Sequence, residues 1–369
     1  MMAPAQLPLL VQLLRAPACV SGWSLKQWDL MLRQAVSANL TASVWSQLDG
    51  AGLLDVVPAA ARRHLDWAHC LALRHGRAVR WEVRQIAEAL APLGLPLLLL
   101  KGAAYVMAGL EAGQGRLFSD IDILVPKERI NEVESRLLLK GWMSGHHDPY
   151  DQRYYREWMH ELPPMEHVKR ETMIDVHHAI LPPTARAHPD SRLLRAAAVA
   201  AAGQDCALVL QTLAPVDMVL HSATHLFFDG EFDHGLRDIV DLDRLLRRFG
   251  ADESFWLALT PRALELGLQR PLFYALRYAS WLLDSPVPAA VMAAAAQAGS
   301  PNPGLLALMD GLFGRALLPG HPSCGDGASA FARFSLYVRG NWLRMPPLML
   351  ARHLFHKAFI SPKVAVGKV

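Results

Sequence analysis

Ser119-Asp-Ile-Asp-Ile-Leu-Val125 is the segment on which the fold turns. Its aliphatic residues predict a buried strand, ended by Pro126. Residues two apart on a strand share a face, so Asp120 and Asp122 point the same way. Two carboxylates side by side on a buried strand repel each other and are costly to desolvate. A cation between them removes both costs, and Mg2+ prefers such oxygens. An isolated Asp-x-Asp is explained equally well by exposed acids at a strand edge or by an Asx-turn. The flanking sequence decides between these readings.

Downstream, Glu128 to Lys140 predicts an amphipathic helix with Ile130, Val133, Leu137 and Leu138 as its apolar face and Gly141 as its C-cap. Met165 to Val168 and Thr172 to His177 predict two strands joined by a polar turn at Lys169 to Glu171. Asp175 lies within the second, another acid between apolar neighbours. A third carboxylate on an adjacent strand completes a site for two cations about 3.5–4 Å apart, able to clamp both oxygens of an in-line displacement. His177 shares the Asp175 face and is read either as a support for the site or as a satisfied core histidine. Upstream, Leu97 to Leu100 predicts a short buried strand, followed by Lys101-Gly102 and a helix over Ala103 to Leu110. A strand feeding a helix N-terminus offers backbone N–H groups to an anion. The order strand, helix, strand, helix, hairpin predicts a mixed α/β sheet.

Three segments then carry a family resemblance: Leu99-Leu-Lys-Gly-Ala-Ala-Tyr105, Gly115-Arg-Leu-Phe-Ser-Asp-Ile-Asp-Ile-Leu-Val125 and Ile174-Asp-Val-His177. In this order they resemble the DNA polymerase beta-type nucleotidyltransferase superfamily, and most closely its bacterial branch of uncharacterised nucleotidyltransferases. His221, His225, Arg237, Asp238 and Asp241 resemble that branch's helical continuation. The resemblance implies an α+β fold, with a mixed sheet flanked by helices, an N-terminal helical segment and a C-terminal helical domain. It implies transfer of an NMP group from an NTP to an acceptor hydroxyl on a protein, a tRNA or a small molecule, with Mg2+ or Mn2+ as cofactor. By the same resemblance Asp120 and Asp122 hold both metal ions and the triphosphate. Asp175 holds the second metal and helps activate the acceptor. Gly102 binds phosphate, and Arg116 and Ser119 are candidates for phosphate contacts. Lys101 pairs either with a phosphate or with a carboxylate. The turn departs from the superfamily's Gly-Gly or Gly-Ser, because Ala103 supplies no hydroxyl. Two alternatives therefore stand beside catalysis: an inactive binding module of the same fold, and a toxin-like tRNA-modifying enzyme.

The expected division is a helical segment at 1–92, the nucleotidyltransferase core at 93–185, a helical domain at 186–298 and a helical, basic-aromatic tail at 299–369. In the first part Ser24 is a candidate cap, and a helix is expected from Pro58 to Leu90, where Trp67, Leu71, Val79, Trp81 and Ile86 recur at helical spacing. Arg62, Arg63, Arg74, Arg77, Arg80 and Arg84 read as its solvated face. From about Leu193 the chain reads as helical again, with Pro215 at a helix start. His221 and His225 share a helix face but lack the glutamate of a zinc-protease motif, so a polar contact or a cleft wall is expected. Arg237 and Asp241, four apart, read as an intrahelical ion pair. The tail from Asn341 to Lys363 is expected to pack back on its own domain rather than on a membrane or nucleic acid.

Composition bounds the rest. With 52% hydrophobic and 19% charged residues in 369, the chain has ample material for a core. A formal charge of +3 is too small to indicate a nucleic-acid surface, so tRNA stands only as a candidate acceptor. Cys19, Cys70, Cys206 and Cys324 show no metal spacing and read as thiols in a reducing compartment. The start lacks a positive n-region, and Pro4, Gln6 and Pro8 interrupt its apolar run. No stretch reaches the roughly 18 apolar residues of a membrane span. A cytoplasmic protein is the expectation.

Overall fold

The computed structural model describes residues 7–145, 148–201 and 209–359. Seven strands are β1 (Leu97–Leu99), β2 (Asp120–Leu124), β3 (Trp142–Ser144), β4 (Met165–His167), β5 (Met173–His177), β6 (Val199–Ala200) and β7 (Leu210–Thr212). They form one mixed sheet in the order β3-β4-β5-β2-β1-β7-β6, flanked by helices, and the fold is α+β. β2 lies at its centre, parallel to β5 and antiparallel to β1. That position explains its run of buried aliphatic residues from Ile121 onward. The β2–β5 register sets Asp122 directly beside Asp175.

The strands β1 and β2 and the β4–β5 hairpin form where the apolar patterning predicts them. β3, β6 and β7 do not follow from the pattern, and β6 and β7 fall in a stretch read as helical. Their strand character comes from partners. β7 runs parallel to β1 along an edge that would otherwise be unpaired, and Val209 accepts a hydrogen bond from Leu97 N at 2.9 Å. Cys206 lies outside the described residues.

Ser24 does cap a helix, Leu25–Ser37, through a capping box with Gln27. Ser24→Ala is expected to lower stability by about 1 kcal/mol, read as a shift of the denaturation midpoint. An unmoved midpoint would show that the box contributes nothing. The long helix spans Ala59–Leu90, but no residue from 66 to 78 is buried. Leu65, Val79, Val83 and Ile86 carry its packing, whereas Trp67, Leu71 and Trp81 are exposed. Spacing alone thus identified the helix and not its inner face. Glu82 is buried on this helix and takes a two-pronged contact from Arg170, whose guanidinium also covers Trp81 and Trp142. The β4–β5 turn is fastened to the helix in this way. In the Ile130–Leu139 helix, Val133 and Leu137 are buried while Leu138 is exposed.

C-terminal to the sheet, the helices Pro215–Asp229, Gly235–Phe249 and Gln269–Leu283 pack around Phe227, Tyr274, Tyr278 and Phe313. The helix Ser329–Arg344 packs on them, burying Ala332 and Leu336. Gly340 permits the approach, since a Cβ there would stand 2.5 Å from the Asp229 carbonyl oxygen. The tail beyond Phe359 lies outside the described residues. One hydrophobic core runs through the chain from Leu7 to Leu336. Among the described residues no helix is long and apolar enough to cross a membrane.

Candidate active site

The strand end of β2, the start of the Lys101–Met107 helix and the loop before β2 open onto a cleft of about 650 Å³. Lys101, Gly102, Arg116, Ser119, Asp120 and Asp122 all line it. His225, Glu231, His234 and Arg237, from the helical region, line it too. Sequence spacing of more than 100 residues separates these two groups.

Asp122 is 5% exposed. His177 Nε2 stands 2.9 Å from one of its carboxylate oxygens, and Lys101 Nζ stands 3.6 Å from the other. Burial alone would raise the Asp122 carboxyl, but Lys101 and the His177 hydrogen bond outweigh it and hold the group far below the usual range. Lys101 itself has a left-handed φ of 43°, a sparsely populated conformation for a residue with a Cβ. Its ammonium is raised because Asp122 and more distant acids outweigh the cost of burial. The carboxylate contact of Lys101 is thus present in the structure.

Asp175 sits beside Asp122, with Oδ1 shielded from water and without a hydrogen-bond partner. Burial, reinforced by the Asp122 charge, pushes its carboxyl up to about 7. Asp122, Asp175 and His177 each offer a ligand atom within 4.8 Å of the others. Asp120 shares the cleft but joins no such group among the described residues.

Three further residues enter that sequence reasoning did not single out or left open. His177, the ambiguous one, joins Asp122 to Glu161, whose carboxylate lies 3.1 Å from His177 Nδ1. Glu161 and His160 come from a segment without periodicity, brought in by pairing with the end of β5. The one available signal was a His-Glu pair just before the hairpin. Burial lowers His160 well below the usual histidine range and raises Glu161.

Arg116 is buried, with Nε 2.7 Å from Asp241 and Nη2 3.9 Å from Asp238, and it lies over the rings of Tyr105 and Phe118. Asp241 thus pairs across the fold, and Arg237 pairs with Asp238 at 3.2 Å instead of with Asp241. The guanidinium needs Gly102, because a Cβ there would come within 2.6 Å of Arg116 Nη1 and 2.8 Å of the Phe118 ring. His221 is buried, and His225 contacts Asp229 at 3.1 Å. Among the described residues neither joins a group of three metal-type ligands.

The model of a family described as uncharacterised nucleotidyltransferase matches residues 24–284. The chain belongs to that family. No curated protein and no solved structure matches it.

Nucleotidyltransferases generally use a divalent metal, and the Asp122–Asp175 pair suits one. It has oxygen donors, mutual repulsion to relieve and one buried oxygen lacking a partner. Burial of Asp175, with that repulsion added, gives this nucleotidyltransferase family member a testable pH dependence in chelator. The Asp175 carboxyl is at about 7 folded against 3.8 unfolded. Its contribution to stability is therefore fully present below pH 3.8 and is lost as pH rises to about 7. Asparagine does not titrate, so Asp175→Asn should match wild type near pH 4 and exceed it by about 2 kcal/mol above pH 7, after allowance for solvent screening. Burial-depressed histidines, which titrate in the opposite sense, cancel in the difference between the two chains. A pH-independent difference in denaturation free energy would contradict the placement of Asp175.

Proposed function

We propose that this protein transfers an NMP group from an NTP to an acceptor hydroxyl, releasing pyrophosphate, with a divalent cation held by Asp122 and Asp175. The observation that carries the reading is the in-register acidic pair with one buried, unpartnered oxygen, set beside a cleft lined by the other candidate residues. When bound, Mg2+ or Mn2+ would neutralise the pair and draw charge from the phosphate oxygens. Asp120, on the same cleft, extends the acidic set toward the triphosphate. Lys101 and His177 hold the Asp122 carboxylate oriented from two sides. Gly102 and Ser119 line the part of the cleft assigned to phosphate, and Arg116, its charge balanced by Asp241, holds the wall behind them. Asp175, poised near neutrality while metal-free, is the group assigned to the acceptor proton. The helical region at 186–298 supplies the acceptor side through His225, Glu231, His234 and Arg237.

The second reading, a binding module without turnover, is favoured by Ala103, which offers no hydroxyl at the turn. The test incubates the full chain with each NTP labelled at the α-phosphate, Mg2+ or Mn2+, and bulk tRNA, protein or small hydroxyl compounds in turn. Label transfer with pyrophosphate release is the expected result, and transfer confined to tRNA selects the tRNA-modifying form. Calorimetric binding of Mg-NTP without transfer selects the module. Neither binding nor transfer overturns both readings.

A further inference from the structure

His177 has a carboxylate at each ring nitrogen. Nε2 is 2.9 Å from Asp122 and Nδ1 is 3.1 Å from Glu161. A neutral imidazole carries one N–H and can donate to only one of them. With the proton on Nε2, the Nδ1 lone pair faces the Glu161 oxygens, so two acceptors stand in contact and a cation is needed between them. A proton would settle that contact alone. It would leave His160 unsatisfied, whose Nδ1 is shielded from water and has no partner, and whose ring lies 5.2 Å from that of His177. A metal ion would serve all three residues at once.

The local chain is built to hold them together. Glu161 pairs antiparallel with His177, Leu162 N donates to Val176 at 2.9 Å, and His178 N donates to the His160 carbonyl at 2.8 Å. The three residues each present a ligand atom within 4.8 Å of the others. We propose that His160, Glu161 and His177 form a second cation site, a set of two imidazoles and one carboxylate that takes a first-row transition ion such as Zn2+, Co2+ or Fe2+.

Ligand chemistry sets the class of ion. Mg2+ favours oxygen donors, whereas two imidazole nitrogens with one carboxylate favour the transition series. Asp122 takes the part of the outer carboxylate that accepts the remaining N–H of a ligating histidine and fixes its orientation. Bonds of about 2.0–2.2 Å to a shared ion place ligand atoms roughly 3–3.5 Å apart, and His177 Nδ1 and the Glu161 carboxylate already stand 3.1 Å apart. The site shares only His177 with the Asp122–Asp175–His177 group, and it does not depend on nucleotide transfer.

The test uses the full chain stripped with chelator and titrated with Co2+, followed by calorimetry and visible absorption. With excess Mg2+ present to occupy the Asp122–Asp175 site, one equivalent should bind with a d–d band and be displaced by Zn2+. Glu161→Gln and His160→Ala should each weaken Co2+ binding at least about tenfold, whereas Asp175→Asn should leave it intact. Circular dichroism melts establish that each variant is folded. Glu161→Gln, which preserves volume, decides the matter if His160→Ala is not. No band in the wild-type chain, or an undiminished band in Glu161→Gln, overturns the site and leaves the nucleotide-transfer test standing.

Discussion

An Asp122→Asn chain is expected to transfer nucleotide at least about a thousandfold more slowly than wild type. Asp122 is the acid on which the site converges, since it neighbours Asp175 and meets both Lys101 and His177. Asparagine keeps the shape but loses the charge that would hold a cation and balance Lys101. Because that charge also supports the fold, the rate must be compared at matched folded fraction. Asp175→Asn supplies the cross-check. It too is expected to be slow, yet it should be the more stable chain in chelator above pH 7, because it removes the cost of burying the Asp175 charge and, with it, the repulsion from Asp122. A residue with only a structural role does not lose activity while gaining stability. An Asp122→Asn rate within tenfold of wild type would remove Asp122 from the mechanism.

The parts of this site legible in the sequence are those with local signatures. Alternation across Asp120-Ile-Asp-Ile and the apolar flanks of Asp175 fixed two strands, because both faces of a central strand must be filled. From there the acidic pair needed only the right register, which the fold supplies by running β2 and β5 in parallel. What stayed hidden depends on distant partners. Glu161 and His160 occupy an aperiodic stretch whose position is set by the end of β5. β7 is three residues long and owes its existence to the free edge of β1. Asp241 looked satisfied by Arg237 four residues away, and the real partner, Arg116, lies 125 residues upstream. Local spacing counts every nearby charge as a candidate, whereas burial selects the one that can follow it out of water.

That selection leads to the second large effect. Arg116→Ala is expected to cost about 3–5 kcal/mol, the usual penalty for leaving one half of a buried ion pair. Asp241 is 3% exposed and Asp238 8%, and burial already pushes the Asp241 carboxyl above its usual range despite the guanidinium beside it. Without Arg116, Arg237 reaches only Asp238 among the two acids. Asp241 must then take up a proton or draw in water. Removing both partners should be far milder: Arg116→Met with Asp241→Leu leaves no stranded charge and is expected to recover most of the loss. Denaturation of the single and double variants measures the coupling directly. If Arg116 instead served mainly to grip the triphosphate, the single variant would keep wild-type stability and lose NTP affinity. The 2.7 Å contact with Asp241 and the Tyr105 and Phe118 rings around the guanidinium favour the structural outcome. In that case the cleft wall depends on Arg116, and Gly102 is a glycine because any side chain there would displace it.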